Sequence, residues 1–150
     1  MRVYAESSAV LSLLFAEPLA LLVREAFMQA TLVGSSGLTL LEVRRAIVRG
    51  ETIRAIPEGR AADMRADLSR ISSNWSLVEM DDEILERAAR PFPFEPVRAL
   101  DAIHLATALA VRESLGAVAL LSLDDRIRRS ASELGFEVVP ALADRVHEGP

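Results

Sequence analysis

The sequence predicts an α/β fold, a parallel sheet covered by helices on both faces. Three observations carry this. Five short β-type segments alternate with helical ones along the 150 residues. No Asn-Gly or Asp-Gly pair marks a hairpin, and strands joined only through helices pair in parallel. Half of the chain, 51%, is apolar, which suits one core, since a chain of this size buries roughly two-thirds of its unfolded surface.

Met1 to Ala5 reads as the first strand, and the serines after Glu6 can cap a helix carrying Ala9, Val10, Leu13 and Leu14. Glu17-Pro18 restarts helical spacing through Leu22, Phe27 and Met28, with Pro18 suited to a first turn. Thr31 to Ser35 is the second strand, closed by Gly34 and Gly37, and a third helix begins near Thr39 and stops at Gly50. Pro57 to Ser73 alternates charge with a narrow apolar stripe, as an exposed helix does. Trp75 to Val78 is a strand, and Asp81 caps a helix through Ala89. The proline-rich stretch from Pro91 to Pro96 must be a loop, and Arg98 to Leu115 is a long apolar helix. Ala117 to Leu121 is a buried strand, and Asp124 or Asp125 caps a helix ended by Gly135. Phe136 to Val139 is the last strand, giving one domain over 1–140 and a tail over 141–150 with little to hold it.

Composition prunes the chemistry. The chain has no Cys and two His, His104 and His147, so thiolate nucleophiles, iron–sulfur clusters and Cys- or His-rich zinc sites are excluded. All 17 basic residues are Arg, which removes P-loop lysines and Schiff bases. A receiver domain fails on the same ground, because its acid pocket works with a lysine. Carboxylates remain, 22 of them, for a net charge of −5, not the global signature of a protein that coats nucleic acid. The apolar stretch from Leu100 to Leu121 is broken by Asp101, His104, Arg112 and Glu113, too soon for a membrane span. The first residues lack the charge and cleavage pattern of a signal peptide, so the expected location is the cytoplasm.

Four acids sit at strand ends or helix starts: Glu6, Glu42, Asp101 and Asp124. Each has a structural explanation. Thr39 to Glu42 fits a capping box, Asp124 an N-cap, and Asp101 complements a helix dipole. Glu6 is harder to explain, since Ser7 and Ser8 are better caps and it directly follows apolar strand residues. In open parallel sheets ligands bind beyond the carboxyl ends of the strands. If the first and fourth strands are neighbours, the four acids share that crevice, and such crowding asks for a hard cation, Mg²⁺ or Mn²⁺.

The segments Val3 to Ala9, Leu38 to Ala46, Leu100 to Ala108, Ser122 to Asp124 and Gly135 to Val139 resemble, in order and spacing, a PIN domain of the VapC toxin type. The resemblance implies a single PIN-like domain with a five-stranded parallel sheet of order 3-2-1-4-5 and about seven helices. It implies a Mg²⁺- or Mn²⁺-dependent ribonuclease site at Glu6, Glu42, Asp101 and Asp124, a VapB-like antitoxin that blocks it, and a homodimer. DNA is reached only through the antitoxin. The family usually has Asp where this chain has Glu6.

Other residues are weaker candidates. Ser8 can hydrogen-bond a metal ligand, and Arg44, Arg45 and Arg49, like Arg126, Arg128 and Arg129, can contact RNA phosphates, although such clusters read more simply as solvated faces or antitoxin contacts. His104 is expected as a buried, hydrogen-bonded core histidine, and Phe92 and Phe94 as loop anchors rather than a base-stacking platform. Two functions follow: a metal-dependent endoribonuclease toxin, or a catalytically weak PIN-like module that acts by binding a small partner protein.

Overall fold

In the computed structural model, which describes residues 1–142, β1 (Arg2–Ala5) runs through the centre of the sheet. Its side chains alternate between the faces, as strand geometry requires. Val3 and Ala5 pack with Ala9, Val23 and Ala26 of α1 (Ser7–Phe15) and α2 (Ala20–Gln29). Tyr4 points the other way, onto Leu105 and Ala108 of α6 (Ala99–Leu115) and Ile127 and Ala131 of α7 (Asp125–Glu133). Leu120, in β4 (Ala119–Leu121), shares the Tyr4 face while Ala119 and Leu121 share that of Val3. Both faces are dry, so these strands read as near-continuous apolar runs.

The remaining strands are β2 (Leu32–Ser36), β3 (Ser76–Val78) and β5 (Val138–Val139). All pairings are parallel, in the order β3-β2-β1-β4-β5, as the resemblance implies. A further layer is built by α3 (Gly37–Thr52) and α4 (Glu58–Ser72), whose Val43, Ile47, Met64 and Leu68 close on Val10 and Leu14 of α1. With α5 (Asp82–Ala88) the described residues form seven helices.

Several local expectations are corrected. Neither Ser7 nor Ser8 caps α1; Glu6 does, its side chain accepting from the Ser8 N–H. The Thr39 to Glu42 capping box does not form, because α3 starts at Gly37 behind Ser36, whose hydroxyl faces the Thr39 N–H. Glu42 thus lies in the second turn rather than the first, and no cap claims its carboxylate. Pro18 precedes α2, which begins at Ala20, and Gly50 is buried inside α3 instead of ending it. Gly34 does not close β2 but sits within it, where a Cβ would lie 3.2 Å from Val111 Cγ1. The glycine lets α6 approach the strand. Asp81, Asp124 and Gly135 do what the sequence predicts: two side-chain caps, and a residue at φ 77° just past α7. The tail assigned to 141–150, with His147, lies outside the described residues from 143 onward.

Candidate active site

The carboxyl ends of β1 and β4 are neighbours, held by Glu6 N–H donating to the Leu121 carbonyl at 3.0 Å. Glu6 leaves β1 with extended backbone and turns its carboxylate back toward α1, which removes it almost entirely from solvent at 3% exposure. A buried charge is tolerated only when densely hydrogen-bonded, and this one is. Oε1 accepts from the Ser7 hydroxyl at 2.6 Å and the Ser8 N–H at 3.0 Å. Oε2 accepts from the Ser8 hydroxyl and from the Ser122 hydroxyl at 2.8 Å. Those donors occupy all four lone-pair sites of a carboxylate.

Ser8 ties this cradle to the loop after β4. Its Oγ accepts from the Leu123 N–H at 2.8 Å and the Asp124 N–H at 3.1 Å, and Ser122 Oγ also accepts from Asp124 N–H at 3.1 Å. Ser8 therefore does not act as a cap, the role capping statistics suggested, but joins one candidate ligand to the backbone of another.

Glu42 meets His104 across the crevice. His104 is 1% exposed; Nε2 lies 2.7 Å from Glu42 Oε2 and Nδ1 lies 3.1 Å from the Tyr4 hydroxyl. Because a carboxylate only accepts, Nε2 carries the proton of that bond. Burial pushes the Glu42 carboxyl upward, but the hydrogen bond from His104 and the nearby imidazole outweigh it and hold the group below its ordinary range. Burial drives Tyr4 far above its ordinary value, so its hydroxyl keeps its proton. The expectation of a buried, hydrogen-bonded His104 is met, yet the residue also fixes a candidate ligand. The acid that His104 binds is Glu42, brought across from α3.

One oxygen or nitrogen of Glu6, Glu42 and His104 can be chosen so that all lie within 4.8 Å of one another. Asp101 and Asp124 are not in that group. Asp124 spends Oδ1 on the Arg126 and Ile127 N–H groups at the start of α7. Asp101 is raised above its ordinary value, by burial first and then by the charges of Asp124 and Glu6, so these acids share one field. Arg44 and Arg45 stand exposed on α3, just beyond Glu42, and form no ion pair among the described residues.

The donor set suits a hard divalent cation: oxygen donors crowd together, and one carboxyl is raised by burial and, next, by neighbouring negative charge. The fit is uneven. Glu42 keeps one oxygen beyond the His104 bond, Asp124 keeps Oδ2, and Asp101 makes no hydrogen bond among the described residues. Glu6 has no vacant lone pair unless a serine lets go. A larger cavity of about 650 Å³, between α1, α2 and the end of α4 where Phe27 stacks on Trp75, is lined by none of these four acids.

Comparison with known proteins adds an independent finding. Residues 3–133 match the family described as PIN domain. Ribonuclease VapC46 of Mycobacterium tuberculosis (strain ATCC 25618 / H37Rv) is 37% identical over 138 residues, 91% of this chain and 95% of that protein. Ribonuclease VapC35 of Mycobacterium tuberculosis (strain CDC 1551 / Oshkosh) is 34% identical over 107 residues, 70% of each chain. The crystal structure of PAE2754 from Pyrobaculum aerophilum superposes with a TM-score of 0.58 at 17% identity, covering 93% of this chain and 84% of that one; at that identity the likeness is one of fold.

Proposed function

Because this chain belongs to the PIN-domain family and to its VapC type, we propose that it is a metal-dependent endoribonuclease, the toxin of a type II toxin–antitoxin pair. The observation that carries the proposal is the acid crevice at the ends of β1 and β4, where Glu6 and Glu42 converge and Asp101 is raised by burial and by the charges of Asp124 and Glu6. Glu42, Asp101 and Asp124 would hold Mg²⁺ or Mn²⁺ directly, with Glu6 contributing, directly or through water, only where a serine is displaced. When bound, such a cation activates water and neutralises charge building on the phosphate.

The chain's own residues prepare that chemistry. His104 aims the Glu42 carboxylate and keeps it ionised. Ser8 and Ser122 hold the Asp124 amide and Glu6 together, so the two strand ends keep their spacing. Arg44 and Arg45 would receive RNA phosphates from the α3 side as exposed point contacts. A VapB-like antitoxin would silence the site with a basic side chain in place of the cation. Exposed Leu41, Leu77 and Met80 support the further proposal of a homodimer. No described helix is long and apolar enough to cross a membrane, and a cytoplasmic setting belongs to the proposal because RNA is the substrate.

The saturated Glu6 carboxylate favours a second reading, a PIN-like module with weak catalysis that works mainly by complex formation. One experiment separates them. Purified protein freed of any partner should cleave labelled RNA with Mg²⁺ or Mn²⁺ and be inert in EDTA. Asp124→Asn and the pair Asp101→Asn with Glu42→Gln should abolish cleavage, whereas Asp125→Asn should not. Cleavage that persists in chelator, or in the double variant, refutes the metal-dependent reading.

A further inference from the structure

A small cleft opens beside the acid crevice, and it shares Asp101 with it. Its other walls are Phe94 and Pro96 from the proline-rich loop and Arg126, Arg129 and Ser130 from α7, enclosing about 210 Å³. That is below the roughly 300–1,000 Å³ of a pocket for a drug-sized ligand, and suits one flat ring rather than a whole nucleotide. The two phenylalanines of the loop behave differently. Phe92 packs against the core and anchors the loop, while Phe94 remains 37% exposed. The loop is held in place by the Glu95 carboxylate, which accepts from the Phe92 N–H at 2.8 Å and the Val97 N–H at 2.6 Å. The Arg129 guanidinium lies 5.1 Å over the Phe94 ring. Among the described residues neither Arg126 nor Arg129 has a carboxylate partner, although Arg65, Arg70 and Arg87 do.

A partly exposed aromatic ring on a fixed loop, capped by one of two guanidiniums that lack a carboxylate partner, and a candidate ligand at the rim form the set that single-stranded nucleic acid uses: a stacking platform for a base and cations for its backbone. We propose that this cleft binds one unstacked base of single-stranded RNA against Phe94, with Arg126 and Arg129 on the adjoining phosphate, and so seats the strand beside Asp101. The inference rests on the ribonuclease reading and names the form in which the substrate arrives. Arg129 covers the ring where the base goes, and it yields that place and turns to the phosphate. Duplex RNA, with its bases stacked, cannot enter.

The test is binding of a labelled single-stranded RNA ten-mer in EDTA, by fluorescence anisotropy, with a set of ten-mers each carrying one abasic position. In the native protein one abasic position weakens binding by about 5- to 150-fold, the range of base–aromatic stacking. Phe94→Ala weakens binding of the intact ten-mer by a similar factor and no longer senses that abasic position, whereas Phe94→Trp restores both. Arg126→Ala weakens binding of every ten-mer and lowers the salt dependence by about one phosphate contact, roughly 0.7 in slope. Absence of RNA binding by the native protein, native-like binding by Phe94→Ala, or an abasic response that survives in Phe94→Ala overturns the inference. Cleavage in Mn²⁺ is scored separately: if the native protein cuts RNA while Phe94→Ala binds it normally, this inference fails and the ribonuclease reading stands; if the native protein cuts nothing, the ribonuclease reading itself fails.

Discussion

Removing the Ser8 hydroxyl should destabilise the protein, and removing Ser122 with it should cost more than the two separate losses. Ser8 Oγ is the described acceptor for the Leu123 N–H, at 2.8 Å, and it donates to the buried Glu6 carboxylate. Ser8→Ala leaves that half-buried amide without its partner and takes one donor from a charged acceptor. An unsatisfied buried donor costs about 1–3 kcal/mol, and here the lower half applies because Leu123 is only partly covered; with the lost bond to Glu6 the total is about 2–4 kcal/mol. At roughly 2–4 °C per kcal/mol for a chain of this size, the melting midpoint should fall by about 4–16 °C. Ser122→Ala removes a 2.8 Å bond to Glu6, worth about 1–2 kcal/mol. The Asp124 N–H distinguishes the pair from independent sites: it has both hydroxyls at 3.1 Å, so either single variant leaves it one acceptor and the double variant leaves none. The double loss should exceed the sum by about 1 kcal/mol. Urea unfolding followed by far-UV circular dichroism, extrapolated linearly for all four proteins of the cycle, measures this. Additivity within ~0.5 kcal/mol would refute the shared-acceptor argument, since contacts that do not share a partner add to about that precision.

Ser12 makes the opposite prediction: its hydroxyl is fully buried in α1 with no partner among the described residues, so Ser12→Ala should raise stability by up to about 1 kcal/mol, and a fall in the urea midpoint would reveal an acceptor. Glu6→Asp withdraws the carboxylate by one methylene from the Ser122 hydroxyl on the neighbouring strand. The expected result is lost RNA cleavage with no gain in Mg²⁺ affinity; tighter Mg²⁺ binding by titration calorimetry would instead mean that Glu is a misfit in an aspartate site. His104→Leu frees Glu42 and should lower kcat at least ~10-fold with little change in KM, and His104→Gln, which can still donate to Glu42, should recover part of it. Equal rates for the two variants would show that His104 only fills space.

What the sequence by itself determined was the succession of elements and the end of the sheet that carries the acids. Period-2 and period-3.6 patterns, proline and glycine punctuation and the caps at Asp81 and Asp124 are local signals, set by neighbours within one or two turns. The same locality explains the failures. Whether Glu6 or a serine caps α1 depends on competition for hydroxyls, and Ser8 is drawn away by Leu123 and Asp124, more than a hundred positions along the chain. Whether Glu42 serves a capping box depends on where α3 begins, and Ser36 moved that start forward. The meeting of Glu42 with His104, buried beside Tyr4, and of Phe94 with Arg129 beside Asp101, required strands β1 and β4 to pair and α6 and α7 to pack on one face. Those are contacts between distant elements, paid for by burial of apolar surface rather than by local preference, and only the assembled fold decided them.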